Sequence, residues 1–301
     1  MRPEHRGSVA TIGTFDGVHL GHQAIIQQVN EQAQKLGLPS VAIIFEPQPH
    51  EFFAGDQAPA RLMRFREKVT ALLAAGIDRV LCLPFNTSLR SLSGTEFIDL
   101  VLVQGLGIRY LVVGDDFRFG CDRSGDYALL KAAGKTQGFE VRDTHTFEMD
   151  GERVSSTRVR AELEAGHFDS ANRLLGAPYT ISGRVVFGQQ LGRELGAPTA
   201  NVLLRRYRSP LSGVFAVRAH LNDGSAINGV ANVGVRPTVD GGGKPILEVH
   251  LFDFNQNIYG QTIAVEFCRK LRQEKKFDSL EQLKTQIQAD IVEAKHFFEQ
   301  V

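Results

Sequence analysis

GTFDGVHLGH, residues 13–22, is the stretch on which the fold turns. It joins SVATIG, a short apolar run, to HLGHQAIIQQVNEQAQKLG, in which Ile25, Val29, Ala33 and Leu36 recur at helical spacing before Gly37. A strand that enters a helix through a glycine-rich turn opens an α/β unit, and its backbone amides and helix N-terminus offer a seat for phosphate. Gly13, Gly17 and Gly21 permit close approach of backbone to a ligand around Phe15. His19 and His22 stand three residues apart, so both imidazoles can face the same phosphates from the first helical turn. There they can stabilise charge on a transferring nucleotidyl group. Glycines in such a turn can equally serve tight geometry alone; the His-x-Gly-His element is what points to chemistry. GxGxxG and GxxxxGK[ST] are both missing, which argues against dinucleotide redox binding and P-loop hydrolysis.

Outward from this stretch, short apolar runs alternate with amphipathic ones: SVAIIF, FREKVTALLAAG, RVLCLPF, GTEFIDLVLVQGLG, RYLVVG. The alternation predicts a parallel sheet covered by helices. Residues 156–176 turn purely helical, and after Pro178 the text becomes β-rich, with several strand-like runs separated by Gly, Pro, Asn and Asp. The expectation is a first domain over 1–178 and a second, an antiparallel barrel, over 182–301. Asn222-Asp223-Gly224 reads as a hairpin turn within it. A C-terminal helix follows, with Ser279 and Gln282 at capping-box spacing and Leu280, Leu283, Ile287, Ile291, Ala294 and Phe298 as its apolar stripe.

The chain has 301 residues, 43% of them hydrophobic, which is enough for two cores. Lys+Arg and Asp+Glu balance at 34 each, and with no basic-aromatic run the composition gives no support for a nucleic-acid partner. Cys82, Cys121 and Cys268 lack paired metal-ligand spacing and fit reduced thiols. No apolar stretch reaches spanning length and the start carries no signal-peptide pattern, so the expectation is a cytoplasmic protein without a membrane partner.

Further motifs carry polar chemistry. GDDFRFG, residues 114–120, falls after a predicted strand, where open α/β sheets bind ligands. Asp116 could hydrogen-bond a ribose, another ligand group or a water there; a plain turn with Phe117 and Phe119 in the core is the alternative. In RVSSTRVR, residues 153–160, Ser155, Ser156 and Thr157 can cap a helix or meet phosphate oxygens, with Arg153 and Arg160 supplying positive charge. Thr199 and Asn201 of PTAN are hard oxygen donors suited to a magnesium ion, or parts of a polar turn. Glu248, alone in a strand, would be read as a solvated face.

Taken in order, GTFDGVHLGH, GDDFRFG and RVSSTRVR, then GRVVFGQQLGRELGAPTANV (183–202), GVANVGVRPT (229–238) and EVHLFDF (248–254), resemble the bifunctional riboflavin kinase/FAD synthetase family of bacteria over nearly the whole chain. The resemblance implies a Rossmann-like nucleotidyltransferase domain with a parallel sheet, followed by an antiparallel β-barrel kinase domain with a C-terminal helix. It implies phosphorylation of riboflavin to FMN, and adenylylation of FMN to FAD with release of pyrophosphate, both from ATP with Mg2+. It assigns Gly13, Phe15, Gly17, His19, His22, Arg153, Ser156, Thr157 and Arg160 to the nucleotide of the first reaction centre, and Gly188 and Gly192 to that of the second. Asp116, Phe117 and Arg236 become flavin-binding or positioning residues, with a phosphate contact or a loop salt bridge equally open to Arg236. Glu248 matches the catalytic base and Thr199 and Asn201 the metal ligands; His250 receives no chemistry. FNQNIYG departs from the acidic residues common before Tyr-Gly, without touching an assigned catalytic residue. An adenylyltransferase for another phosphorylated cofactor would lack the second-half motifs, and a flavin-binding regulator without turnover would not need His19, His22 and Glu248 intact.

Overall fold

The computed structural model describes residues 6–114, 116–144, 146–188, 197–237 and 243–300. The chain divides into two compact units, residues 1–59 with 65–156, and residues 60–64 with 157–301.

In the first unit, β1 (Val9–Ile12), β2 (Ser40–Glu46), β3 (Arg79–Pro84), β4 (Tyr110–Gly114) and β5 (Glu140–Thr144) form one sheet in the order β3-β2-β1-β4-β5. Every pairing in it is parallel. Helices α1 (Leu20–Leu36), α2 (Pro49–Ala54), α3 (Phe65–Ala74), α4 (Thr87–Arg90), α5 (Gly94–Phe97) and α6 (Tyr127–Gln137) connect the strands. Strands β1 and β4 are neighbours although α1 follows one and precedes the other by two crossovers, so the order reverses between them. The loops leaving their carboxyl ends, which carry GTFDGVH and GDDFRFG, therefore open onto one crevice.

Helix α1 buries Ile26, Val29 and Ala33 and stops at left-handed Gly37. Val29 and Ala33 of the expected stripe are buried, while Ile25 is only half-buried beside buried Ile26 and Leu36 is 46% exposed. GTEFIDLVLVQGLG is wound as the single turn α5 and then a π-helical segment, Ile98–Leu106, which tucks Ile98, Val101, Leu102 and Leu106 under the sheet. A small hairpin, β6 (Glu148–Met149) and β7 (Glu152–Arg153), closes the unit.

In the second unit, β8 (Thr180–Val186), β9 (Ala200–Leu203), β10 (Gly213–His220), β11 (Ala226–Pro237), β12 (Gly243–Leu251) and β13 (Thr262–Arg272) close into a barrel in the order β10-β11-β12-β9-β8-β13. All its pairings are antiparallel. Side chains alternate in and out with the pleat: Phe215, Val217, Leu247, Val249, Val265 and Phe267 fill the interior. Asn222-Asp223-Gly224 makes the β10–β11 turn, where Asp223 accepts from the Ser225 amide at 2.9 Å.

Helices α7 (Ser156–Ala165) and α8 (Phe168–Leu175), beyond Ser156 itself, group with this barrel. The reason is packing: Phe168 of α8 meets Phe215 edge-on at 5.9 Å and stacks over Phe267 at 6.3 Å. A local helix pattern could not announce that contact. Residues 60–64 join the same unit because buried Arg206 donates from Nη1 to the carbonyls of Arg61 at 2.9 Å and Leu62 at 3.2 Å. The Tyr179 hydroxyl adds a bond to the Leu62 carbonyl at 3.1 Å.

Helix α9 (Leu280–Glu299) starts as expected at Ser279, whose hydroxyl accepts from the Gln282 amide at 3.2 Å. Ile291, Ala294, Phe297 and Phe298 pack over Val214, Ala216 and Val230 on the outside of the barrel, while Leu280 is 66% exposed. Asp290, in mid-helix and 4% exposed, is held by Arg272 through two bonds of 2.8 and 2.7 Å.

Candidate functional site

The crevice of the first unit is built on a strained turn. Phe15 and Val18 hold left-handed backbone at φ 47° and 41°, beside Gly17 at φ 87°. Two non-glycine residues in that region cost about 1–3 kcal/mol each, a strain typical of loops shaped to meet a ligand. Phe15 is buried beneath the histidines, its ring 5.0 Å from that of His22 and against the α-carbon of Gly13.

His19 is the N-cap of α1, and its Nδ1 accepts from the His22 amide at 3.4 Å, which places the proton of a neutral ring on Nε2. The two imidazoles stack at 3.7 Å with an interplanar angle of 18°. Burial, followed by the charges of His19, Lys68 and Arg153, pushes the His22 pKa well below its ordinary value of 6.5. Lys68 is itself a fully buried cation on α3, which the sequence reading did not single out.

GDDFRFG and RVSSTRVR meet here. Arg153 Nη1 lies 2.8 Å from Asp116 Oδ2, and that bond holds the Asp116 carboxyl below the usual carboxylate range. The Ser156 hydroxyl donates to the Asp16 carbonyl at 2.8 Å, tying the start of α7 to the turn after β1. Thr157 and Arg160 belong to the second unit, where Arg160 Nε donates to the Ala60 carbonyl at 2.6 Å.

Phe117 stacks on Phe119 at 5.4 Å and lines a cavity of about 350 Å³ with Phe45, Phe53, Phe85 and Arg118. Phe119 is in the core and half-buried Phe117 packs against it, as the turn reading expected, and both rings line the cavity. The other rings of this cavity were missed, since they come from three separate segments that only the fold assembles. A cavity of this size, mostly aromatic with a cationic edge, suits a flat heteroaromatic ligand.

On the second unit, Asn201 of β9, Glu248 of β12 and Asn232 of β11 stand opposite one another in register. Their strand neighbours Val202, Leu247, Val249, Ala231 and Val233 are buried inside, so the three polar side chains share the outer face. Thr199 lines an adjoining cavity of about 440 Å³ with Val185, Leu251, Asn257 and Tyr259. Gly188 gives Asn201 room, because a Cβ there would collide with the Asn201 amide. His250 receives a role that the sequence left open: its Nδ1 bonds the Pro198 carbonyl at 2.9 Å and so anchors PTAN to β12. Arg236 lies in β11 opposite Lys244, with its side chain outside the described atoms, and Gly192 lies outside the described residues.

Among the described residues, no helix is long and apolar enough to cross a membrane, and no three His, Cys, Asp or Glu side chains group as a metal site.

The FAD synthetase family matches residues 1–158 and the riboflavin kinase family residues 175–298. A bifunctional riboflavin kinase/FMN adenylyltransferase of Pseudomonas fluorescens is 58% identical over 295 residues, covering 98% of this chain and 94% of that one. Proteins of the same description from Haemophilus influenzae and Escherichia coli (strain K12) are 48% and 49% identical, over 97% of this chain and 95% and 93% of theirs. A crystal structure described as a macrolide-efflux protein of Streptococcus pneumoniae superposes with a TM-score of 0.80 at 33% identity, over 96% of this chain and 93% of that one. With both family matches in place, in chain order, on a parallel-sheet unit and on a barrel, the chain belongs to the bifunctional riboflavin kinase/FMN adenylyltransferase family and makes FMN from riboflavin, and FAD from FMN, with ATP as co-substrate.

Proposed function

We propose that adenylyl transfer belongs to residues 1–178 and riboflavin phosphorylation to residues 182–301, with separate sets of residues carrying the two steps. In the first, an FMN phosphate oxygen attacks the α-phosphorus of ATP, forming the new P–O bond as the bond to pyrophosphate breaks. The FMN phosphate is already ionised near neutral pH, so no strong base is needed and positioning with charge stabilisation carries the rate. The amides around Gly13, Phe15 and Gly17, with His19 and His22, hold the nucleotide phosphates at the α1 N-terminus. Arg153 and Ser156 complete that set within the first unit, and Asp116 and Phe117 position the flavin.

In the second step, Glu248 accepts the proton of the riboflavin 5′-hydroxyl as that oxygen attacks the γ-phosphorus and ADP leaves. What supports this reading is the register that sets Glu248 directly beside Asn201, next to Thr199. Two neutral hard oxygens beside one carboxylate suit Mg2+ that takes its remaining ligands from phosphate and water. Thr199 and Asn201 would hold the ion, which supplies charge neutralisation on the transferring phosphates when bound. Gly188 lets backbone approach the nucleotide. All three cysteines are unpaired, in keeping with a reducing, cytoplasmic setting.

Glu248→Gln tests the assignment: FMN formation should fall by about a hundredfold or more while FAD formation from supplied FMN is retained. Equal loss of both would overturn separate sites.

A further inference from the structure

We infer that Glu274, in the segment between β13 and α9, is a positioning residue of the kinase site that acts by holding Asn232 in the row containing Glu248. The inference rests on the assignment of Glu248 as the base.

The row Asn201, Glu248, Asn232 runs across three strands on the outer face of the barrel. Its next position, Val214 on β10, is already covered by α9. The row therefore ends against a wall, and the side chain that finishes it is Glu274. The Asn232 amide donates to the Glu274 carboxylate. Two residues further on the same strand face, Gly234 carries that carboxylate on its α-carbon: a Cβ there would collide with it. Much of Glu274 remains open to solvent, but the seat on β11 removes water from its acid group and raises its pKa, against the opposing pull of Asn232 and Arg272. The segment is held at both ends, by the Arg272–Asp290 pair and by the Ser279 cap of α9.

A side-chain amide has a carbonyl end and an N–H end, and in a site those ends must not exchange. Glu274 can only accept from it when ionised, so it fixes which end of Asn232 faces it and leaves the amide in one orientation opposite Glu248. Without Glu274 the amide is free to turn, and the carboxylate of Glu248 loses a fixed neighbour.

Steady-state FMN formation by the full chain tests this. Glu274→Ala should lower kcat by about tenfold with the KM for ATP unchanged, and Glu274→Gln, whose carbonyl oxygen still accepts from Asn232, should recover most of that loss. Gly234→Ala, at a backbone conformation any residue adopts, should displace the Glu274 carboxylate and give the same loss. The double variant Gly234→Ala/Glu274→Ala should then be no worse than either single one. An unchanged urea midpoint of the barrel in the same preparations reports an intact fold. Undiminished kcat in both single variants, or additive losses in the double, overturns the inference, provided that Glu248→Gln abolishes FMN formation. If Glu248→Gln leaves FMN formation intact, it is the assignment of the base that fails instead.

Discussion

Arg153 and Asp116, 37 residues apart in the chain and in two different motifs, are joined by a bond of 2.8 Å between Nη1 and Oδ2. The hairpin before α7 is thereby clamped to the loop after β4, at the mouth of the crevice. Both side chains are more than half exposed, so the pair adds at most about 1 kcal/mol to stability. Its worth lies in placing a guanidinium at the proposed phosphate seat. Arg153→Ala should reduce FAD formation by about tenfold or more with Tm nearly unchanged, while Asp116→Asn, which still presents an oxygen to Arg153, should cost only a few-fold. Similar losses in both variants would show that the carboxylate charge itself is needed.

His22 should be neutral throughout the physiological range. Its folded pKa lies below the unfolded value of about 6.5, chiefly through burial, so the unfolded chain binds the extra proton first as pH falls. His22 therefore destabilises the fold progressively from about pH 6.5 downward, with no contribution above it. Urea unfolding at pH 5.5 and 7.5 should show a smaller drop in stability for His22→Gln than for the unaltered chain. An NMR titration of the His22 ring with a midpoint at or above 6.5 would contradict the expectation.

The aromatic cavity predicts selective loss of flavin affinity in the synthetase reaction. Phe85 sits among Phe45, Phe52 and Phe53 with ring centroids 5.3 to 5.9 Å away. Phe85→Ala should raise the KM for FMN by about fivefold, equivalent to about 1 kcal/mol, and leave the KM for ATP in place. A shift in ATP alone would move the flavin elsewhere.

Removing Arg272 leaves the Asp290 carboxylate buried without its bidentate partner. Arg272→Ala should lower the unfolding free energy of the barrel by about 3 kcal/mol, read from the urea midpoint. A change below about 1 kcal/mol would mean that water replaces the guanidinium.

His22, Arg153, Asp116 and Glu248 could all be singled out as candidates in the sequence because each lies in a motif whose spacing carries meaning within one segment. Asn232 lay inside such a motif too, yet its place beside Glu248 depends on the register of β11 on β12, which no single segment encodes. His250 was visible at period two from Glu248, but its bond to Pro198 joins two strands. Alternation of apolar runs gave the parallel sheet and the barrel, since burial imposes those periods locally. It could not place α8, whose Phe168 finds its partners in β10 and β13, nor foresee Asp290, a buried acid in a helix stripe expected to be apolar.

Residues 60–64 come from the first half of the chain but pack with the barrel through Arg206 and Tyr179. A single cut at residue 157 therefore parts the barrel from a segment that packs with it. A fragment beginning at residue 157 would keep every motif of the kinase and still lack the strap whose carbonyls satisfy a buried guanidinium. Supplying Ala60–Arg64 as a grafted extension is the more faithful way to make a free-standing kinase, and it makes the partition of the two activities a question of chain threading as much as of sequence motifs.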